Sequence, residues 1–355
     1  MSSEIAANDH SAVLLEQVEM ALAQHRPLRI KGGGSKTFLP QDEQSLSLDI
    51  APHTGIVNYD PSELVVSVRA GTRMTDLISV LEASNQMLPF EPPLFGPTAT
   101  VGGMIATGLS GPRRPWAGSA RDYVLGARVI TGLGKHLRFG GEVMKNVAGY
   151  DASRLMAGSY GCLGALTEVS LKVLPIPRSQ VTLKLEMDAH LALKSVRDWQ
   201  RQGLPLSGAC HDGATLFIRL EGGTASVQQA SQQLGGEEVD SSFWTALREL
   251  QLPFFNDQRP LWRLSVPPNT PWVDLPGDVL LDWGGAQRWL KSATHAAEIR
   301  TQAKHLGGSA TCYTPKPGIE TFHPLPEGLM RLHQRIKTQL DPQRIFNPGL
   351  LYATP

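Results

Sequence analysis

Gly96-Pro97-Thr98-Ala99-Thr100-Val101-Gly102-Gly103 opens the stretch that decides the fold. It continues through Thr107-Gly108-Leu109-Ser110-Gly111-Pro112-Arg113-Arg114 and closes at Gly158-Ser159-Tyr160-Gly161-Cys162-Leu163-Gly164. Glycine comes here in clusters with Thr and Ser beside it. Such a run suits a backbone that approaches something closely and offers it N–H groups, because no Cβ stands in the way. It does not suit a helical core, where each glycine costs roughly 1 kcal/mol relative to alanine. A turn-rich sheet also scatters glycines, so on composition alone an anion cradle and a turn-rich sheet both stay open.

A second cluster lies upstream. Leu28-Arg29-Ile30 reads as a short strand that breaks into Lys31-Gly32-Gly33-Gly34-Ser35-Lys36. Successive N–H groups in such a loop can point at one anion. The Walker spacing is missing, and so is Gly-x-Gly-x-x-Gly within a strand–helix–strand unit. A plain loop is the competing reading.

The bulk numbers narrow the class. The chain has 355 residues, 41% hydrophobic and 19% charged, as expected of a globular protein with two or three domains. Its 33 basic and 33 acidic residues cancel, which argues against nucleic acid but not against a small anion. No run of about 18 apolar residues predicts a membrane span. The start, Met1-Ser2-Ser3-Glu4-Ile5-Ala6, has neither the basic region nor the apolar core of a secretory leader. Cys162, Cys210 and Cys312 lie far apart, which suits free buried thiols in a reducing compartment and is one short of a four-cysteine iron–sulfur cluster. The expectation is a cytoplasmic protein whose membrane contact, if any, is peripheral and made through partners.

In chain order, Leu14, Val18 and Leu22 space a first helix, stopped at Pro27. Short strands are expected over 45–50, 55–59 and 64–70, the last half-buried, and then a helix from Met74 to Ala83 capped by Thr72 or Thr75. Four prolines stiffen 89–97. Strands follow at 124–131, 136–139 and 165–174, with a short helix after Asp151. Pro175-Ile176-Pro177 marks a boundary near Arg178. Beyond it, strands and helices alternate as in an α+β layer with an antiparallel sheet. Six tryptophans, Trp199, Trp244, Trp262, Trp272, Trp283 and Trp289, fall there and read as core or interface. A last helix over 326–340 carries Leu329, Leu332, Ile336 and Leu340 as its apolar stripe, before Phe346-Asn347-Pro348-Gly349.

The order of these motifs resembles a known family. Lys31–Ser35, Gly96–Gly103, Arg121-Asp122-Tyr123-Val124-Leu125-Gly126, Lys145-Asn146-Val147-Ala148-Gly149-Tyr150-Asp151, Gly158–Glu168 and Phe346–Gly349 follow one another as in the vanillyl-alcohol-oxidase (PCMH-type) FAD-binding flavoproteins. Within that family the chain is most similar to FAD-binding subunits of bacterial glycolate-oxidising complexes, over nearly its whole length. The resemblance implies an α+β fold: a two-subdomain FAD-binding domain over 1–177, an α+β cap domain with an antiparallel sheet over 178–325, and a helix and tail over 326–355 returning to the FAD domain.

Carried over by position, Lys31, Gly32, Gly33, Gly34, Ser35 and Lys36 would hold the FAD pyrophosphate from one side. Pro97, Thr98, Thr100, Val101, Gly102 and Gly103, with Thr107 and Gly108, would do so from the other. Gly161, Gly164, Leu166 and Thr167 would run beside the adenosine or ribityl part, and Asn347 would sit near the flavin ring. Covalent relatives often carry a His in the first glycine loop; Ser35 or Lys36 stands here, so the FAD is expected to be non-covalent. The family's histidine-rich cap stretch is absent, and His211, His295, His305, His323 and His333 lack ligand spacing, so no metal and no catalytic residue is assigned. Arg113 and Arg114 are candidate carboxylate anchors or, equally, a solvated basic turn or subunit contact. Lys145 and Tyr150 are further candidates to approach the flavin.

The implied activity is oxidation of glycolate to glyoxylate, with electrons passing through flavin to an iron–sulfur subunit beside a second, catalytic flavoprotein subunit. A stand-alone FAD-dependent 2-hydroxy-acid dehydrogenase and a non-catalytic flavin-binding scaffold are the alternatives.

Overall fold

The computed structural model describes residues 7–40, 44–141, 151–314 and 318–352. The chain divides into two compact units. One comprises Met1–Leu109, Ser119–Ile176 and Pro324–Pro355; the other comprises Ser110–Gly118 and Pro177–His323. The excursion Ser110–Gly118 falls inside the region assigned from sequence to the FAD domain, and it clusters instead with the second unit.

The first unit is built on a five-stranded antiparallel sheet in the order Ile56–Asp60, Val65–Arg69, Ala165–Lys172, Val124–Ile130, His136–Gly140. Val65–Arg69 is not half-buried as its alternation suggests. Val66, Ser67 and Val68 are all fully buried, because the strand lies inside the sheet and both of its faces are covered. The polar member of that trio is satisfied across the sheet, where the Ser67 and Ser170 hydroxyls lie 2.7 Å apart. Helix Ser11–Ala23 contributes Leu14, Val18 and Ala21 to the same core, and helix Met74–Ala83 contributes Leu77 and Leu81.

Neither threonine caps the Met74–Ala83 helix. Arg73 is its N-cap residue and makes no side-chain cap bond. The Thr72 hydroxyl instead accepts from the Gly55 N–H (2.9 Å) and donates to the Gly55 carbonyl (3.3 Å), and Thr75 turns to Asp76. A separate parallel pair, Leu28–Lys31 with Leu46–Asp49, leads into the first glycine cluster. The C-terminal tail adds beside it through a parallel bridge between Leu28 and Phe346.

The C-terminal helix spans Glu327–Leu340. Only the C-terminal half of its expected stripe turns inward: Leu340 packs against the core and Ile336 is half-buried, whereas Leu329 is 48% and Leu332 51% exposed, and the one fully buried side chain of the helix is Lys337. Three acceptors, the Cys162 and Phe346 carbonyls and the Asp341 carboxylate at the helix C-terminus, hold Lys337 inward.

The second unit is an eight-stranded antiparallel sheet ordered Glu237–Val239, Ser179–Glu186, Thr215–Gly222, Leu206–His211, Asp278–Asp282, Gln287–Lys291, Leu261–Ser265, Ser309–Cys312. Helices Ala189–Arg201 and Thr224–Leu234 pack Ala192, Val196, Val227 and Ala230 against one end. Helix Ala296–His305 packs Ile299 and Ala303 against Trp262, Leu264 and Leu290 at the other. Trp244, Trp262, Trp283 and Trp289 are buried in this unit, and Trp199 and Trp272 pack half-buried against its apolar clusters. Replacing Trp262 by alanine removes the largest fully buried side chain; urea denaturation is expected to show a loss of about 3–5 kcal/mol in the stability of this unit.

Candidate functional site

The site begins where strand Leu28–Lys31 runs out into glycine. A Cβ placed on Gly33 would lie 1.5 Å from the Thr98 carbonyl oxygen, so only glycine allows this approach. Thr98 closes the contact by donating its hydroxyl to the Gly33 carbonyl at 2.6 Å. One residue earlier, a Cβ on Gly32 would meet the Thr100 hydroxyl at 2.5 Å. The two glycine clusters are therefore locked together, backbone against backbone.

Their N–H groups are used differently. On the second cluster, Val101 donates to the Thr72 carbonyl, Gly102 to the Ala70 carbonyl and Gly103 to the capping Thr100 hydroxyl. These bonds fasten helix Val101–Thr107 to the sheet. On the first cluster, Gly32, Gly33, Gly34 and Ser35 donate their N–H groups to no acceptor among the described residues. Four consecutive backbone donors thus face a cleft without protein partners, which is the chemistry of an anion-binding nest.

The cleft has a volume of about 350 Å³. Of the residues expected from sequence, Lys31, Gly32, Gly33, Gly34, Ser35, Lys36, Thr100, Gly102, Gly103, Thr107, Gly161, Gly164, Leu166 and Asn347 line it. Five do not. Pro97 lies outside the lining, and Thr98 acts from behind through Gly33. Val101 is buried in the core. Gly108 ends helix Val101–Thr107 at φ +61° with its α-carbon against Gly158. The Thr167 hydroxyl bonds His136 and the Arg128 carbonyl. Lys145 and Tyr150, with most of the Lys145–Asp151 motif, fall outside the described residues; Asp151 caps the helix Ala152–Leu155.

Sequence reasoning missed Arg29, Tyr160 and Leu350, which also line the cleft. Arg29 sits mid-strand, where nothing local distinguishes it from a sheet cation. Tyr160 lies within the quoted glycine run and has φ +53° beside Gly161 at φ +72°, a turn that only the structure reveals. Arg29, Lys31 and Lys36 are the charged residues of the lining, so a chain of zero net charge presents a locally positive cleft. Lys36 also pins the proline-rich segment: its ammonium donates to Ser35 Oγ (3.0 Å) and to the Pro93 and Leu94 carbonyls (3.1 and 2.9 Å), above the Phe95 ring.

Arg113 and Arg114 belong to the second unit. Arg113 is buried and paired with the equally buried Glu221 at 2.6 Å, and Arg219 also reaches Glu221 at 3.4 Å. Arg114 stacks over Trp283 at 4.3 Å, and Arg263 stacks on the same ring at 5.1 Å. The histidines take up structural contacts. His211 bonds the Met187 carbonyl and accepts from the Gly213 N–H, His323 accepts from the Ala310 N–H, and His333 meets Tyr352 edge-on. Among the described residues no three His, Cys, Asp or Glu side chains are grouped to hold a metal ion, and no helix is long and apolar enough to cross a membrane.

Residues 5–140 match the family described as FAD binding domain. The chain is similar to the glycolate oxidase subunit GlcE of Escherichia coli (strain K12), with 55% identity over 345 residues, 97% of this chain and 98% of that one. It is also similar to the glycolate oxidase subunit GlcD of Bacillus subtilis (strain 168), 37% identical over 55% of this chain and 42% of that one. A D-lactate dehydrogenase of Anaerostipes hadrus is 38% identical over 46% of this chain and 34% of that one. Among solved structures, alkyldihydroxyacetonephosphate synthase superposes with a TM-score of 0.68 at 16% identity, covering 97% of this chain and 76% of that one, a likeness of fold alone.

All three cysteines are free and buried. Burial pushes the Cys162 thiol, beside Gly161, up to about 11, and raises Cys210 as well. Near about pH 8 the native protein is therefore expected to react slowly with a disulfide reagent, and to release three thiols per chain only after denaturation.

Proposed function

The chain belongs to the family of the glycolate oxidase subunit GlcE, and on that premise we propose that it is the FAD-carrying subunit of a complex that oxidises glycolate to glyoxylate. The observation that carries this reading is the row of four N–H donors from Gly32 to Ser35, without acceptors among the described residues, in a cleft whose charged lining residues are all cationic. A diphosphate needs just such donors and positive charge. FAD therefore fits the residues present, and bound there it supplies the acceptor for the hydride equivalent leaving the α-carbon of a 2-hydroxy acid.

The chain's own residues divide the work of holding the cofactor. Gly32 to Ser35 offer backbone donors, and Arg29, Lys31 and Lys36 balance the charge. Gly102 and Gly103 contribute through their missing side chains, since their N–H groups are already bonded within the protein. Leu166 and Leu350 give the cleft its apolar surface, which excludes water, and Asn347 brings an amide to its edge. The similarity to two different glycolate oxidase subunits, GlcE and GlcD, supports placing a second, catalytic flavoprotein subunit in the complex. Electrons leaving the flavin need a relay that three dispersed cysteines do not build, so the proposal includes an iron–sulfur partner.

Purifying the chain alone and with its partner subunits, recording the flavin spectrum and adding glycolate tests the proposal. The expected outcome is a yellow chain whose flavin is reduced only within the complex. Rapid reduction in the isolated chain would favour a stand-alone dehydrogenase, and bound flavin that no hydroxy acid reduces in the complex would favour a scaffold. A second test uses Gly103, where an added Cβ meets only the Thr100 hydroxyl, at 3.2 Å. Gly103→Leu is expected to keep the fold and weaken FAD binding about tenfold or more by filling the cleft, read by flavin titration; unchanged affinity would count against the cleft assignment.

A further inference from the structure

The inward turn of the C-terminal helix brings one ammonium group to three acceptors. Lys337 is almost fully buried. It donates to the Cys162 carbonyl (2.7 Å), to Asp341 Oδ2 (2.7 Å) and to the Phe346 carbonyl (2.8 Å). A lysine has three N–H donors, so its capacity is filled. Asp341, fully buried, accepts two backbone bonds besides: Oδ1 from the Ile345 N–H at 3.0 Å and Oδ2 from the Phe346 N–H at 2.9 Å. Gly132 closes the knot from outside. Its N–H donates to the Leu340 carbonyl, and any Cβ there would strike Asp341 Oδ1 at 2.2 Å.

Those acceptors belong to two different walls of the cleft. Cys162 lies between the lining residues Gly161 and Gly164, and Phe346 precedes the lining residue Asn347. Asn347 then spans both walls and the strand before the glycine loop. Its Oδ1 accepts from the Ile30 N–H (2.8 Å), its Nδ2 donates to the Tyr160 carbonyl (2.7 Å), and its backbone sits at φ +42°. The Asn347 N–H bonds the Leu28 carbonyl, and the Cys162 thiol approaches the Asn347 carbonyl at 3.7 Å. A Cβ on Gly161 would lie 2.7 Å from Asn347 Nδ2, so glycine there leaves room for this amide.

We propose that Lys337 and Asp341 are positioning residues for the cofactor: as one buried pair they set the spacing between the Tyr160–Gly164 turn and the C-terminal tail, and so hold the Asn347 amide in register with the glycine loop. The proposal rests on the reading of this cleft as the FAD site. A pair kept only for stability has no need to divide its bonds between two walls of one cleft, and a buried pair is in general weak support for stability. The ammonium uses all three of its donors and each carboxylate oxygen accepts at least one bond, which suits a geometric role.

Lys337→Met alone leaves the Asp341 carboxylate buried without its cation and is expected to fold poorly. The double variant Lys337→Met with Asp341→Asn removes both charges and carries the test. Its FAD dissociation constant, titrated well below its melting temperature, is expected to rise about tenfold or more, with a changed visible envelope of the bound flavin. Asn347→Ala is expected to cause a similar loss, and combining the three changes to add little, because the pair acts through Asn347. Leu77→Ala, in the core of the same unit and away from the cleft lining, is the control; it lowers the melting temperature without changing the FAD dissociation constant. A double variant that binds FAD as tightly as wild type with an unchanged spectrum overturns the proposal, and so do effects that multiply in the combined variant. Wild-type protein that takes up no FAD overturns the cleft reading first, and this proposal with it.

Discussion

Backbone meets backbone at Gly33, and the cleft depends on that meeting. The Thr98 carbonyl stands where a Cβ would be, 1.5 Å from its ideal position. Any side chain would push the first glycine loop away from the segment that leads into helix Val101–Thr107. In this position the loop's N–H groups find no acceptor among the described residues, whereas Val101, Gly102 and Gly103 of the second cluster have bonded theirs to Thr72, Ala70 and Thr100. An unmatched set of donors is left facing the cleft, at a cost that a bound anion recovers. Glycine is needed at Gly33 because of the neighbour's position, and its conformational freedom is secondary there.

Opposite the glycine loop, the cleft is bounded by side-chain chemistry. The Tyr160–Gly164 turn and the tail at Asn347 are far apart in sequence and are joined by one buried lysine. Burying an ammonium and a carboxylate is expensive unless they are paired and further hydrogen-bonded, and here both are. The same requirement holds Lys337 inward on the C-terminal helix. Leaving Leu329 and Leu332 half-exposed costs a modest amount of apolar burial, whereas leaving Lys337 without acceptors would cost more.

The second unit follows a parallel logic with different residues. Arg113, a candidate anchor or, equally, a solvated turn or subunit contact in the sequence, is neutralised by Glu221 within a buried group that includes Arg219. Trp283, at φ +55°, carries the guanidinium groups of Arg114 and Arg263 over its ring and donates its indole N–H to the Gly111 carbonyl. These contacts account for the membership of Ser110–Gly118 in this unit. Its cations are absorbed into structure, while those of the first glycine loop line a cleft.

The sequence by itself determined the elements and the place of the glycine clusters. Leu14 and Val18 space a helix, Pro175 and Pro177 bracket the crossing at Ile176, and Gly32 to Gly34 stop a strand, because each signal acts over a few residues. Fourteen of the nineteen site residues that the resemblance implies line the cleft; composition alone leaves an anion cradle and a plain loop or turn-rich sheet open. Tertiary structure alone decided which donors stay free. Gly32 and Gly102 look alike in sequence, but only the second finds a carbonyl, at Ala70, and that carbonyl lies 32 positions away. It also decided that Thr72 serves Gly55 instead of a helix, that Lys337 faces inward, and that Arg113 is paired. Local sequence sets what a residue can donate or accept, and the fold sets what stands within hydrogen-bond reach of it.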